Sequence, residues 1–161
     1  MINLKIKTYL KLILVVSLIS LISAYYIEYM LGHQPCNLCL IERIPYGLSV
    51  LLIILSYFFE RNEKLIILLL TLVFVFSLTI SFYHFGIEQG FFKESAVCGI
   101  KNTSDILSKD ELLQQLQVKT VSCKDVTFRI FGLSLTTINI VINILLIITL
   151  AKIYSKYEKN K

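Results

Sequence analysis

Cysteine is the residue type most able to do chemistry in this chain. Cys36 and Cys39 enclose Asn37 and Leu38 in a C-x-x-C pair, just where a short loop enters an apolar run. Two thiols three residues apart are neighbours on one helix face. They can cycle between dithiol and disulfide, or form half of a zinc site. Pro35 suits a helix start, because its φ is preset and it has no N–H to leave unpaired. A thiol in the first helical turn meets unpaired N–H groups and the positive end of the helix dipole, which favours the thiolate. A thiol pair at the lip of a bilayer can pass electrons between a water-soluble protein and a lipid-soluble carrier.

Arg43 follows Cys39 by four residues and Cys36 by seven, so on one continuous helix the three fall within an arc of roughly 60°. A cation one turn below the second thiol can stabilise a thiolate, or attract a ligand carbonyl that becomes an anion on reduction. Gly47 continues the stripe and would let a flat ring approach, although close helix packing explains a glycine equally well. Pro45 lies on the opposite face and frees the carbonyl of Ile41, so a bend is expected there. Glu42 lies off the stripe and is placed to pair with a neighbouring helix. Farther on, His84 and Glu88 are four apart and able to hydrogen-bond across one turn. A titratable pair there suits a reduction that consumes protons as well as electrons, or merely caps a helix.

Cys98 and Cys123 form the second pair. By spacing they read equally as a loop staple and as a mobile disulfide offered to a soluble partner, for which a loop supplies access. Their separation is not a second C-x-x-C, which disfavours a four-cysteine zinc site. No metal is expected.

These residues need a scaffold, and the composition says which kind. Of 161 residues 56% are hydrophobic and 17% charged, with a mean hydropathy of +0.74. That suits a membrane protein if the apolar residues gather into runs of about 20. They do, and spans are expected at about 12–30, 36–59, 65–85 and 130–151. All are helical, since backbone groups in lipid must be satisfied within the segment. The fold class is therefore an all-α membrane protein, a four-helix bundle in one domain, with outer loops at about 31–35 and 86–129. Ser108 and Glu111 form a capping box, so a short amphipathic helix is expected in the second outer loop. The first run is a poor signal peptide, because Ile22 stands where cleavage wants a small residue. The net charge of +5 gathers in the N-terminus, the turn at 60–64 and the C-terminal tail. That pattern follows the positive-inside rule rather than a nucleic-acid surface, and it puts both termini inside and all four cysteines outside.

Cys36-Asn37-Leu38-Cys39-Leu40-Ile41-Glu42-Arg43 resembles the C-x-x-C-x-x-x-Arg signature of the DsbB family of bacterial inner membranes. Gln34-Pro35 and Tyr83-His84-Phe85-Gly86-Ile87-Glu88 are also similar to family features, and the resemblance covers nearly the whole chain. It implies a multi-pass protein of the inner membrane with its cysteines at the periplasmic face. It further implies a quinone-dependent protein-disulfide oxidoreductase that reoxidises a soluble, DsbA-like periplasmic oxidase of thioredoxin fold. The electrons would go to ubiquinone or menaquinone. On this resemblance Cys98 is attacked by the reduced partner, Cys123 is its resolving mate, Cys39 engages the quinone and Arg43 holds the ring. Gly47, His84 and Glu88 complete the expected quinone surroundings. The vitamin K epoxide reductase group also has a membrane-edge C-x-x-C, but there the second pair precedes it, whereas here it follows. A reading from another class is a non-catalytic membrane assembly or channel subunit whose disulfides only staple loops.

Overall fold

The computed structural model describes residues 2–58, 63–94, 98, 121–124, 128–130 and 132–159. Its long helices are α1 (Ile2–Tyr29), α3 (Ile44–Phe58), α4 (Glu63–Glu88) and α5 (Leu135–Lys159), with the short α2 (Asn37–Ile41) leading into α3. A two-stranded antiparallel ribbon, β1 (Arg129–Ile130) and β2 (Leu133–Ser134), precedes α5 and pairs Arg129 with Ser134. Gly132 sits in its turn at φ 83°, a conformation that costs glycine little. α4 lies along α5, α1 along α3, and α3 against α4, while α1 also touches α5. The result is the expected all-α bundle, with four stretches long and apolar enough to cross a membrane: Ile6–Tyr29, Asn37–Phe58, Lys64–Glu88 and Leu135–Lys156.

Side chains sort as lipid solvation demands. Ile22, Phe58, Phe76 and Leu145 face outward, while Ser17, Ser49, Ser77, Ser81 and Asn143 are buried between helices. Small polar residues let helices approach closely where lipid gives no hydrophobic drive for association. The hydroxyls of Ser17 and Ser49 meet at 2.9 Å across the α1–α3 seam. The apolar core of Ile13, Ile53, Ile67, Leu70, Phe74 and Leu150 is fully buried. A separate buried cluster of Cys36, Leu38, Ile87, Cys98 and Cys123 lies apart from that core.

Several boundaries depart from the expected spans. α1 begins at Ile2 rather than about 12, and α5 continues to Lys159 rather than about 151. Hydropathy marks the hydrocarbon slab, whereas a helix runs on past it through lysines that are good helix formers. The fourth helix starts at Leu135 rather than Ile130, because Arg129–Ser134 forms the ribbon. The second span is not one helix: Glu42 and Arg43 interrupt it, as the bend expected from Pro45 requires. The expected amphipathic helix with its Ser108–Glu111 box lies outside the described residues.

Candidate active site

The first pair owes its position to a short helix with a sulfur cap. Cys36 is the N-cap of α2, in extended conformation, and its Sγ accepts from the Cys39 backbone N–H at 3.2 Å. Pro35 therefore stands one residue before the cap rather than in the first turn. The two sulfurs are unbonded and 2.7 Å apart, so a small rotation brings them to the disulfide length of about 2.05 Å. The second pair is bonded, Cys98 to Cys123, with Cα atoms 5.4 Å apart.

The two pairs belong to one packed cluster with Ile87, and Cys39 lies against it. Cys98 and Cys123 are 3% and 2% exposed. The second disulfide is therefore buried rather than presented on the surface.

A histidine and a carboxylate stand behind Cys36. His84, in the last turns of α4, places Nε2 3.6 Å from Cys36 Sγ and Nδ1 3.0 Å from Glu42 Oε1. An ionised carboxylate can only accept, so Nδ1 donates to Glu42 and Nε2 is turned to the thiol, placed to take its proton. This is the nucleophile–base–orienter arrangement by which thiols are activated. Glu42 is itself held by Asn139, whose Nδ2 donates to Glu42 Oε2 at 3.0 Å and to Ser81 Oγ at 2.9 Å. The Tyr46 hydroxyl donates to Asn139 Oδ1, so the Asn139 amide is fully engaged. The expected direct bond between His84 and Glu88 is absent, for Nε2 and Oε1 stand 3.9 Å apart. Thr136 links them instead, donating to Glu88 Oε1 at 2.6 Å and lying 3.3 Å from His84 Nδ1. Glu88 Oε2 is buried with no hydrogen-bond partner.

Arg43 sits in the turn between α2 and α3. Its Nη1 donates to Glu28 Oε2 near the end of α1, and its guanidinium lies 5.0 Å from the Tyr25 ring centroid. Arg43 still borders a cavity of about 300 Å³ shared with Cys36, Cys39, His84, Glu88 and Cys123. Ile19, Ala24 and Ile27 of α1 and Ile138 and Ile142 of α5 supply its apolar walls. Gly47 does not line this cavity; it is exposed, and a Cβ there would meet nothing within 4 Å. Gly86 has a local reason to be glycine: a Cβ would lie 2.1 Å from the Phe92 ring, which folds back over the end of α4.

The structure thus brings Cys36, Cys39, Cys98, Cys123, His84, Glu88 and Arg43 to one end of the bundle and leaves Gly47 outside. Sequence reasoning missed Glu28, Tyr46, Thr136 and Asn139. The signal for Asn139 and Thr136 was present, since polar residues inside an apolar run need a partner.

Three comparisons bear on the chain. The family model described as "Disulfide bond formation protein DsbB" matches residues 7–153. An uncharacterized protein of Rickettsia prowazekii (strain Madrid E) is 30% identical over 155 residues, covering 94% of this chain and 90% of the relative. No solved structure matches.

Proposed function

Because the chain belongs to the DsbB family, we propose that it oxidises a soluble DsbA-like dithiol protein and passes the two electrons to a membrane quinone. The net change is balanced: partner dithiol plus quinone gives partner disulfide plus quinol, with two electrons and two protons moved. The observation that carries this reading is the cavity. One hollow of about 300 Å³ is bordered by Cys123, the C-x-x-C pair and Arg43, and walled by apolar residues. An apolar slot with few polar groups suits a flat ring, so the residues present fit a quinone headgroup. A bound quinone would supply a two-electron, two-proton acceptor.

The chain's own groups divide the remaining work. Cys98 takes the partner's attack and Cys123 leaves as the thiolate; the partner's second thiol then displaces Cys98, which releases the partner as its disulfide and leaves Cys98 and Cys123 reduced. The resulting thiols reduce the Cys36–Cys39 disulfide by exchange. Cys39, which lines the cavity, is the thiol that faces the quinone. His84 takes the Cys36 proton on Nε2 while Glu42 holds Nδ1, and Glu88 offers its free oxygen as a second proton stop. Arg43, anchored by Glu28, holds the ring. The scaffold lies in the bacterial inner membrane with both termini in the cytoplasm. Support comes from Lys7 and Lys11 of α1 and Lys152 and Lys156 of α5, which gather at the end remote from the cysteines.

The test is turnover. Purified protein in detergent, given a short-chain ubiquinone or menaquinone and a reduced DsbA-type protein, is expected to consume two thiols per quinol formed. No thiol loss with either quinone would leave the staple reading standing.

A further inference from the structure

We infer that the reduced Cys36–Cys39 pair and His84 form a binding site for a zinc ion. This site differs from the four-cysteine arrangement that the sequence spacing disfavours. Cys36 Sγ, Cys39 Sγ and His84 Nε2 all lie within 4.8 Å of one another, with Cys36 and His84 buried. Tetrahedral zinc has Zn–S of about 2.3 Å and Zn–N of about 2.0–2.1 Å, which sets an S···N edge of about 3.6 Å and an S···S edge of about 3.8 Å. The Cys36 Sγ to His84 Nε2 distance is 3.6 Å. The sulfurs, at 2.7 Å, open by about 1 Å to meet the second edge.

Two further features point to an ion. His84 turns the correct nitrogen: Nε2 faces the sulfurs while Nδ1 is held by the Glu42 carboxylate at 3.0 Å. A carboxylate on the far nitrogen is the usual outer-shell partner of a zinc-bound imidazole. Glu88, only 6% exposed at its side chain, keeps Oε2 unpaired in the same cavity. A water in the fourth zinc position would give that oxygen a donor. Binding releases the two thiol protons and changes no oxidation state. It holds the pair reduced, because zinc-bound thiolates are unavailable for disulfide exchange until the ion leaves.

The site rests on side-chain geometry alone. Its test uses neither partner protein nor quinone, so it can fail or succeed independently of the oxidase reading. Full-length protein carrying Cys98→Ala and Cys123→Ala is reduced, freed of reductant and titrated with Co²⁺, followed by Zn²⁺ in competition. One ion per chain is expected, with intense thiolate-to-cobalt charge-transfer absorption and a tetrahedral d–d spectrum, both abolished by Zn²⁺. The same chain with its Cys36–Cys39 disulfide formed is expected to bind none. His84→Gln should weaken binding beyond the roughly 10–100-fold that loss of an outer-shell partner costs, and Glu42→Gln should fall within that range. If the double variant does not fold, fully reduced wild-type protein and its Cys36→Ser variant give the same comparison. Absence of charge-transfer absorption, undiminished binding in the oxidised chain, or full affinity in His84→Gln overturns the proposal.

Discussion

Arg43 has two duties that mutation can separate. Its ion pair with Glu28 and its stacking near Tyr25 tie the end of α1 to the α2–α3 junction. Its position on the cavity wall offers a cation to a ring carbonyl. A hydrogen bond to a charged group is worth about 1.5–3 kcal/mol. Arg43→Met should therefore raise the KM for quinone by about 10-fold or more, while mixed-disulfide formation at Cys98 proceeds as before. Steady-state kinetics with varied quinone check this, and an unchanged KM removes Arg43 from the ring. Attack at Cys98 releases Cys123 as the thiolate, and the partner's own second thiol completes the exchange. A reduced partner variant that keeps only its attacking thiol should therefore leave a long-lived adduct with Cys98 of the oxidised chain, visible on a non-reducing gel. No adduct at any time point would make the second pair a staple. At this scale the sequence was generous, because cysteine spacing and an arginine near an apolar run carry their chemistry openly. It was silent about Glu28 with Arg43 and Glu42 with His84, since partners 15 and 42 residues apart have no local signature.

The elements matter because a break, not a straight helix, shapes the site. Glu42 and Arg43 occupy the turn between α2 and α3, as Pro45 favours because it cannot donate to the Ile41 carbonyl. The angular stripe of Cys36, Cys39, Arg43 and Gly47 assumes one unbroken helix. The break releases Glu42 toward α4 and α5, turns Arg43 toward α1 and leaves Gly47 outside the cavity. Asn139 on α5 then joins Glu42, Ser81 of α4 and Tyr46 of α3 in one knot. Asn139→Leu strips three partners at once. Interhelical hydrogen bonds in membranes average only about 0.6 kcal/mol each and reach about 1.7. A loss of about 2 kcal/mol is therefore expected, read as a lower unfolding midpoint in a denaturing-detergent titration. Thr149→Val is the control, because the exposed Thr149 hydroxyl bonds within its own helix, to the Leu145 carbonyl. Equal midpoints for the two variants would show the knot to be energetically idle. Hydropathy located all four apolar stretches, but their ends were set by turn chemistry and by charged helix formers that hydropathy does not weigh.

Across the whole molecule, the two cysteine pairs share one end of the bundle and one buried cluster. That convergence was legible from topology: an even number of spans with basic residues on one side leaves both cysteine loops on the other. The burial of Cys98 and Cys123 was not legible, because a segment rich in polar residues reads as exposed whatever it packs against. The proposed relay therefore needs the two pairs to meet, and it needs the buried Cys98–Cys123 disulfide to become reachable by a partner. The most direct measurement uses the full-length chain in native membranes with Cys36→Ser and Cys123→Ser, leaving Cys39 and Cys98 as its only thiols. After mild oxidation and proteolysis, mass mapping should find a Cys39–Cys98 disulfide within single chains. Recovery of both cysteines unbridged, each alkylated by an impermeant reagent from opposite sides of the membrane, would contradict the account.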